Sequence, residues 1–135
     1  MRKLEDLQAL IATSVKQLKY PAYPAELYEP ISYILSIGGK RMRPALLLMA
    51  CDLFGGDVEA ALPPALAIEV FHNFTLMHDD IMDNAPIRRG RSTVHEKWNQ
   101  NVAEMIAERG RLRPVGPAVT PLRRGNFFGS ARRAD

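Results

Sequence analysis

Apolar residues in the first hundred positions recur at intervals of three and four, and nowhere in convincing alternation. Leu4, Leu7, Leu10, Ile11, Val15 and Leu18 draw one such stripe, and side chains three and four apart share a helical face. Tyr20-Pro21 closes that helix. A second reads from Pro24 through Leu27, Tyr28, Ile31, Ile34 and Leu35, with Pro30 in its path expected to bend it or delay its start. Gly38-Gly39 stops it, because glycine readily takes the left-handed conformation that ends a helix. Arg43-Pro44 opens a third, to about Phe54, with the proline tolerable in a first turn. From Asp57, a predicted N-cap, a fourth runs to about Asp80, with Pro63-Pro64 falling early. Asn84-Ala85-Pro86 ends it, Arg88 to Ser92 reads as a basic loop, and a short helix follows through Trp98. The expected class is all-α.

Several function classes fall away on composition. Among 135 residues there is one cysteine, Cys51, so neither an internal disulfide nor a cysteine-based zinc site is available. The longest apolar run, Ala45 to Cys51, is far short of the ~20 residues of a membrane-spanning helix. Met1-Arg2-Lys3 is followed by Glu5 and Asp6 rather than by an apolar block, which argues against a secretory signal and for the cytoplasm. Met42, Met49, Met77 and Met82 read as core or cavity packing, Trp98 as a packing anchor and Cys51 as a small buried hydrophobe.

Three charged segments carry the chemistry. In Asp79-Asp80-Ile81-Met82-Asp83 the carboxylates are three and four apart, so a helix brings them to one face, where like charges repel. A divalent cation would relieve that repulsion, and magnesium takes one or two carboxylates while completing its shell with water and phosphate oxygens. The same residues read alternatively as a solvated acidic helix end. Gly38-Gly39-Lys40-Arg41-Met42-Arg43-Pro44 puts cations after a glycine pair and ahead of a helix, an arrangement suited to a diphosphate, or to a helix boundary with solvated charges. Arg88-Arg89-Gly90 follows Asp83 by five residues; singly, such arginines are usually surface.

Taken in order, the glycine-lysine-arginine segment, Glu69-x-x-His72, His78-Asp79-Asp80-x-x-Asp83 and Arg88-Arg89-Gly90 resemble the first half of the trans-isoprenyl diphosphate synthases, the farnesyl and geranylgeranyl diphosphate synthase family. Class I terpene cyclases share an aspartate-rich helix but lack the first segment. The resemblance covers residues 1–103 and implies the N-terminal helices of an isoprenoid synthase bundle. It also implies condensation of isopentenyl diphosphate with an allylic diphosphate. By the same resemblance Asp79 and Asp83, supported by Asp80, hold Mg2+ on the allylic diphosphate, which Arg88 contacts. Lys40, Arg43, His72 and Arg89 bind isopentenyl diphosphate. Phe74, five residues before Asp79, stands where the family often places the floor that limits chain growth, implying a short to medium product; it reads equally as a core residue. A homodimer is the family's expected assembly.

Residues 104–135 break this grammar. They hold seven Arg, no Lys and three acids, whereas residues 1–103 hold 11 Lys plus Arg and 12 acids. Glu104 to Glu108 can extend a helix, but the Arg/Gly/Pro text beyond shows no period, so residues 109–135 are expected to be disordered or only locally ordered. The resemblance implies a second aspartate-rich cluster, yet Asp135 is the only Asp after Asp83. The abrupt switch is what a change of reading frame near codon 103 would produce, and the chain alone is then expected to be inactive. The other reading is a non-catalytic binding protein, either a synthase partner or a basic-tail nucleic-acid binder. Nucleic acid is the weaker partner, since Phe127-Phe128 is the tail's only aromatic pair.

Overall fold

The computed structural model describes residues 2–112, with side chains through Glu108. Among the described residues there are six helices, α1 (Leu4–Lys16), α2 (Ala25–Ser36), α3 (Met42–Leu53), α4 (Val58–Met82), α5 (Val94–Lys97) and α6 (Gln100–Leu112). Between α4 and α5 lies a minimal antiparallel pair, β1 (Ile87–Arg88) and β2 (Arg91–Ser92). The all-α expectation holds apart from this pair, which corrects the basic loop. Two residues per strand are too few for alternation to show in a sequence. The signal was in the turn: Arg89 and Gly90 both have positive φ, 51° and 76°, as a two-residue hairpin of right-handed twist requires.

The apolar stripes become the core. Leu7 and Ile11 of α1, Ile31 of α2, Leu48 of α3, Met77 of α4 and Ile106 of α6 are all fully buried, each contributing roughly 1.5–3 kcal/mol of transfer free energy. Trp98 packs edge-on against Tyr33, ring centroids 5.2 Å apart, as an anchor should. Not every apolar reading survives. Met77 is buried and Met42 lines a cavity, but Met82 is exposed, and Cys51 is only half-buried beside the Gly56 turn.

The 25-residue α4 is the axis of the unit, packing on α3 and α6 most extensively and also on α1, α2 and α5. Asp57 caps it, its Oδ1 accepting the Glu59 N–H at 2.9 Å. Pro63 and Pro64 lie in its second turn rather than its first, and the helix runs through them. Glu59 and Ala60, whose carbonyls lose their partners at these prolines, are exposed residues, so water is at hand to replace the missing N–H groups. Pro30 is carried inside α2 in the same way, buried against the core. At the other end of α4, Asn84 takes a left-handed φ of 49°. Its N–H bonds Ile81 O, and that of Ala85 bonds Asp80 O, the paired closure that turns a chain sharply off a helix.

The helix that Glu104 to Glu108 can extend continues as α6 to Leu112, so the irregular tail expected from residue 109 is corrected over 109–112. Ala103, Ile106 and Ala107 are buried, so one helical stripe crosses the compositional boundary without a break. The remainder of that expectation, residues 113–135, lies outside the described residues.

Candidate functional site

Two turns of backbone set the first cluster. Gly38, at φ 80°, ends α2, and Arg41 enters α3 from a left-handed φ of 49°, so Lys40 and Arg43 come to line one cleft. Gln8 of α1 fixes this loop by donating to the Lys40 carbonyl at 2.6 Å. The cleft has a volume of about 470 Å3 and also takes in His72, Arg89 and the buried carboxylate of Glu69. Arg89 reaches it from the hairpin tip because Gly39 has no side chain. A Cβ there would stand 2.8 Å from Arg89 Cζ. The four residues expected to bind one diphosphate are therefore brought together. Gln8 and the role of Gly39 were missed, since nothing local in the sequence ties α1 or the hairpin to this loop.

Arg43 Nη1 lies 2.9 Å from His72 Nε2. The guanidinium must donate, so Nε2 is the unprotonated nitrogen. Burial and the positive charges of Arg43, Arg89 and Arg88 hold the imidazole pKa below its ordinary value, against an opposing pull from Glu69. His72 should therefore titrate below ~6.5 by NMR, and its midpoint should rise in Arg43→Ala. An unshifted midpoint in both proteins would contradict this geometry. The sign for stability follows: a base whose folded pKa is lowered binds fewer protons folded than unfolded. Its contribution is present above the unfolded pKa and is lost as pH falls from there through the lower, folded pKa.

The aspartate cluster divides. Asp79 and Asp83 are exposed and one turn apart, and neither has an ion-pair partner among the described residues. Asp80 does not share their surroundings: it is 4% exposed and grips Arg88, which donates from Nε at 2.8 Å and Nη2 at 2.7 Å. This corrects the picture of three converging carboxylates. Asp80 falls in the buried stripe Ala65, Glu69, Asn73, Met77, and the sharp closure after Asp83 brings the hairpin back over it. Arg88 is held by Asp80, which raises its pKa chiefly through these hydrogen bonds. Arg88 Nη1 has no hydrogen bond among the described residues. Phe74 is buried in the core, whereas Ile68, Phe71 and Thr75 are exposed on the Asp79 side of α4.

Among the described residues no group of three or more His, Cys, Asp or Glu could hold a metal. Two exposed carboxylates at i, i+4 nevertheless suit a Mg2+ that keeps waters and shares substrate phosphates. His72 and Asp79 are seven residues apart on one helix, about 10 Å along its axis.

The family model described as polyprenyl synthetase matches residues 24–108. A geranylgeranyl diphosphate synthase of Methanosarcina mazei is 41% identical over 98 residues, covering 73% of this chain and 30% of the relative. One from Saccharolobus solfataricus is 52% identical over 82 residues, covering 61% and 25%. A crystal structure of a geranylgeranyl pyrophosphate synthase superimposes with a TM-score of 0.78 at 44% identity, over 83% of this chain and 34% of that one. The chain thus spans under a third of the length of these curated relatives.

Proposed function

The chain belongs to the polyprenyl synthetase family, and from that premise we propose that its residues form the diphosphate-binding wall of a prenyltransferase condensing isopentenyl diphosphate with an allylic diphosphate. The observation that carries the reading is the pair of unlike subsites on one face of α4: a cationic cleft at His72 and two unpaired carboxylates about 10 Å further on.

In this reading Lys40, Arg43 and Arg89 neutralise the diphosphate of isopentenyl diphosphate, and neutral His72 donates from one ring nitrogen once Arg43 turns to the ligand. Asp79 and Asp83 would hold Mg2+, which supplies electrostatic stabilisation to a departing diphosphate. Asp80 supports them indirectly by orienting Arg88, whose Nη1 remains to meet the allylic diphosphate. Departure of that diphosphate leaves an allylic cation, the isopentenyl double bond attacks it to form the new carbon–carbon bond, and the resulting cation gives up a proton to the released diphosphate. Exposed Phe71 and Ile68 offer the isoprenyl tail an apolar track along α4. Phe74 bears on product length through the packing beneath that track. No described helix is long and apolar enough to cross a membrane; a cytoplasmic location belongs to the same proposal. So does a homodimer, supported by Leu46 of α3, which is 57% exposed.

Calorimetry with isopentenyl diphosphate tests the reading. The 135-residue chain should bind it, and Lys40→Ala/Arg43→Ala should weaken binding at least about tenfold, since each charge-assisted contact is worth roughly 1.5–3 kcal/mol. Because the second aspartate cluster is lacking, the chain alone should bind without forming product. Binding that ignores the double variant would refute the assignment of the cleft.

A further inference from the structure

The cationic cleft is assembled from segments that no backbone hydrogen bond joins among the described residues. Gly39, Lys40 and Arg43 belong to the turn that leads from α2 into α3, whereas Arg89 comes from the tip of the β1–β2 hairpin. Arg89 is exposed and makes no hydrogen bond or ion pair among the described residues. Its place over Gly39 is therefore set by the hairpin that carries it. Strand β1 is fixed to α4 through Arg88 and Asp80, but that pair does not tie the hairpin to α2.

Tyr33 of α2, six residues ahead of Gly39, supplies the second tie. Its hydroxyl donates to the Ser92 carbonyl at 2.7 Å. Arg91 lays its guanidinium over the Tyr33 ring, 4.8 Å from the centroid, where the electron-rich face attracts a cation. Arg91 Nη1 also reaches Ser36 Oγ at 3.4 Å, one turn further along α2. The ring is itself held, since Trp98 meets it edge-on and Lys97 Nζ stands 4.1 Å from its centroid. Across the hairpin Ser92 pairs with Ile87 and Arg91 with Arg88, so a grip on β2 reaches the Arg89-Gly90 turn within two residues. None of the gripping residues lines the cleft.

We propose that Tyr33 and Arg91 are positioning residues, which clamp β2 to α2 and thereby hold Arg89 over Gly39 and inside the cleft. The consequence for a ligand rests on the reading of that cleft as a diphosphate site; the placement of Arg89 is a property of the ligand-free chain.

The test crosses the clamp variant Tyr33→Phe/Arg91→Ala with Arg89→Ala in the full 135-residue chain. Tyr33→Phe removes the hydroxyl but keeps the ring against Trp98. In the ligand-free parent, NMR should show a nuclear Overhauser contact between the Arg89 side chain and the Gly39 α-protons, and the clamp variant should lose it. The His72 midpoint should rise in the clamp variant toward its value in Arg89→Ala, because Arg89 acts with Arg43 and Arg88 to hold it down against Glu69. In calorimetry with isopentenyl diphosphate, Arg89→Ala should bind at least about tenfold more weakly than the parent. The clamp variant should bind about threefold more weakly, since the ordering of one long side chain then falls on the ligand. Added to Arg89→Ala it should cost nothing further, as groups acting through one another are not additive. Tyr33→Phe/Arg91→Lys, with a cation again over the ring, should recover part of the loss.

A clamp variant that keeps both the Arg89–Gly39 contact and the parent His72 midpoint overturns the clamp. So does a loss of affinity that adds in full to that of Arg89→Ala. Failure of the parent to bind isopentenyl diphosphate overturns the diphosphate reading instead, and the two ligand-free measurements still decide the clamp. Unchanged amide shifts at Leu7 and Met77 in the core show that the fold persists in each variant.

Discussion

Arg88→Ala should lower the thermal midpoint by more than about 10 °C. The substitution strands the Asp80 carboxylate, 4% exposed, without the guanidinium that donates to both of its oxygens. Breaking a buried pair by removing one partner costs roughly 3–5 kcal/mol. In a unit of about this size each kcal/mol moves the midpoint by ~4 °C or more. Thermal unfolding followed by circular dichroism reads the effect. The double variant Asp80→Leu/Arg88→Met should recover much of the loss, because replacing both charges with apolar groups removes the desolvation penalty along with the attraction. A midpoint for Arg88→Ala within ~2 °C of the parent would mean that the arginine serves a ligand alone and not the fold.

Asp79→Asn/Asp83→Asn should do the reverse, sparing the fold and removing a metal response. The two exposed carboxylates repel across one helical turn, so neutralising them should stabilise α4 by a few tenths of a kcal/mol. Calorimetry with geranyl diphosphate should show the parent binding at least about tenfold more tightly with Mg2+ than with a chelator, a gain of ~1.4 kcal/mol. In the variant this gain should vanish, while isopentenyl diphosphate should bind as before at the cleft of Lys40 and Arg43. A metal-dependent gain that survives in the variant would move the cation site elsewhere.

The helices were legible because each carries its own evidence: Leu7, Ile11 and Val15 at helical spacing, Asp57 ahead of α4, Gly38-Gly39 after α2. The residues of the cationic cleft were legible as a set only through their order along the chain. Nothing in that order states that Gln8 braces Lys40, or that Gly39 leaves room for Arg89. Those contacts join segments 32 and 50 residues apart. Asp80 misled for a different reason. Spacing alone groups it with Asp83, but it also continues the buried sequence Glu69, Asn73, Met77, and that second periodicity decides where the side chain points. The hairpin escaped because its strands are shorter than the period that would reveal them. The helix past Glu108 escaped because a change in composition is not a change in helical phase.

The unbroken course of α4 from His72 to Asp83 makes the helix a gauge. The separation of the cationic cleft from the two exposed carboxylates is fixed by pitch, not by the loops around them. One residue inserted between Thr75 and His78 would advance Asp79 by ~1.5 Å and swing it by about 100°, carrying both free carboxylates off the face that His72 occupies. Compensating for that would take a full extra turn. The chain can therefore vary in length around residues 55–57 with little consequence for the site, but within this stretch its length is as constrained as its chemistry.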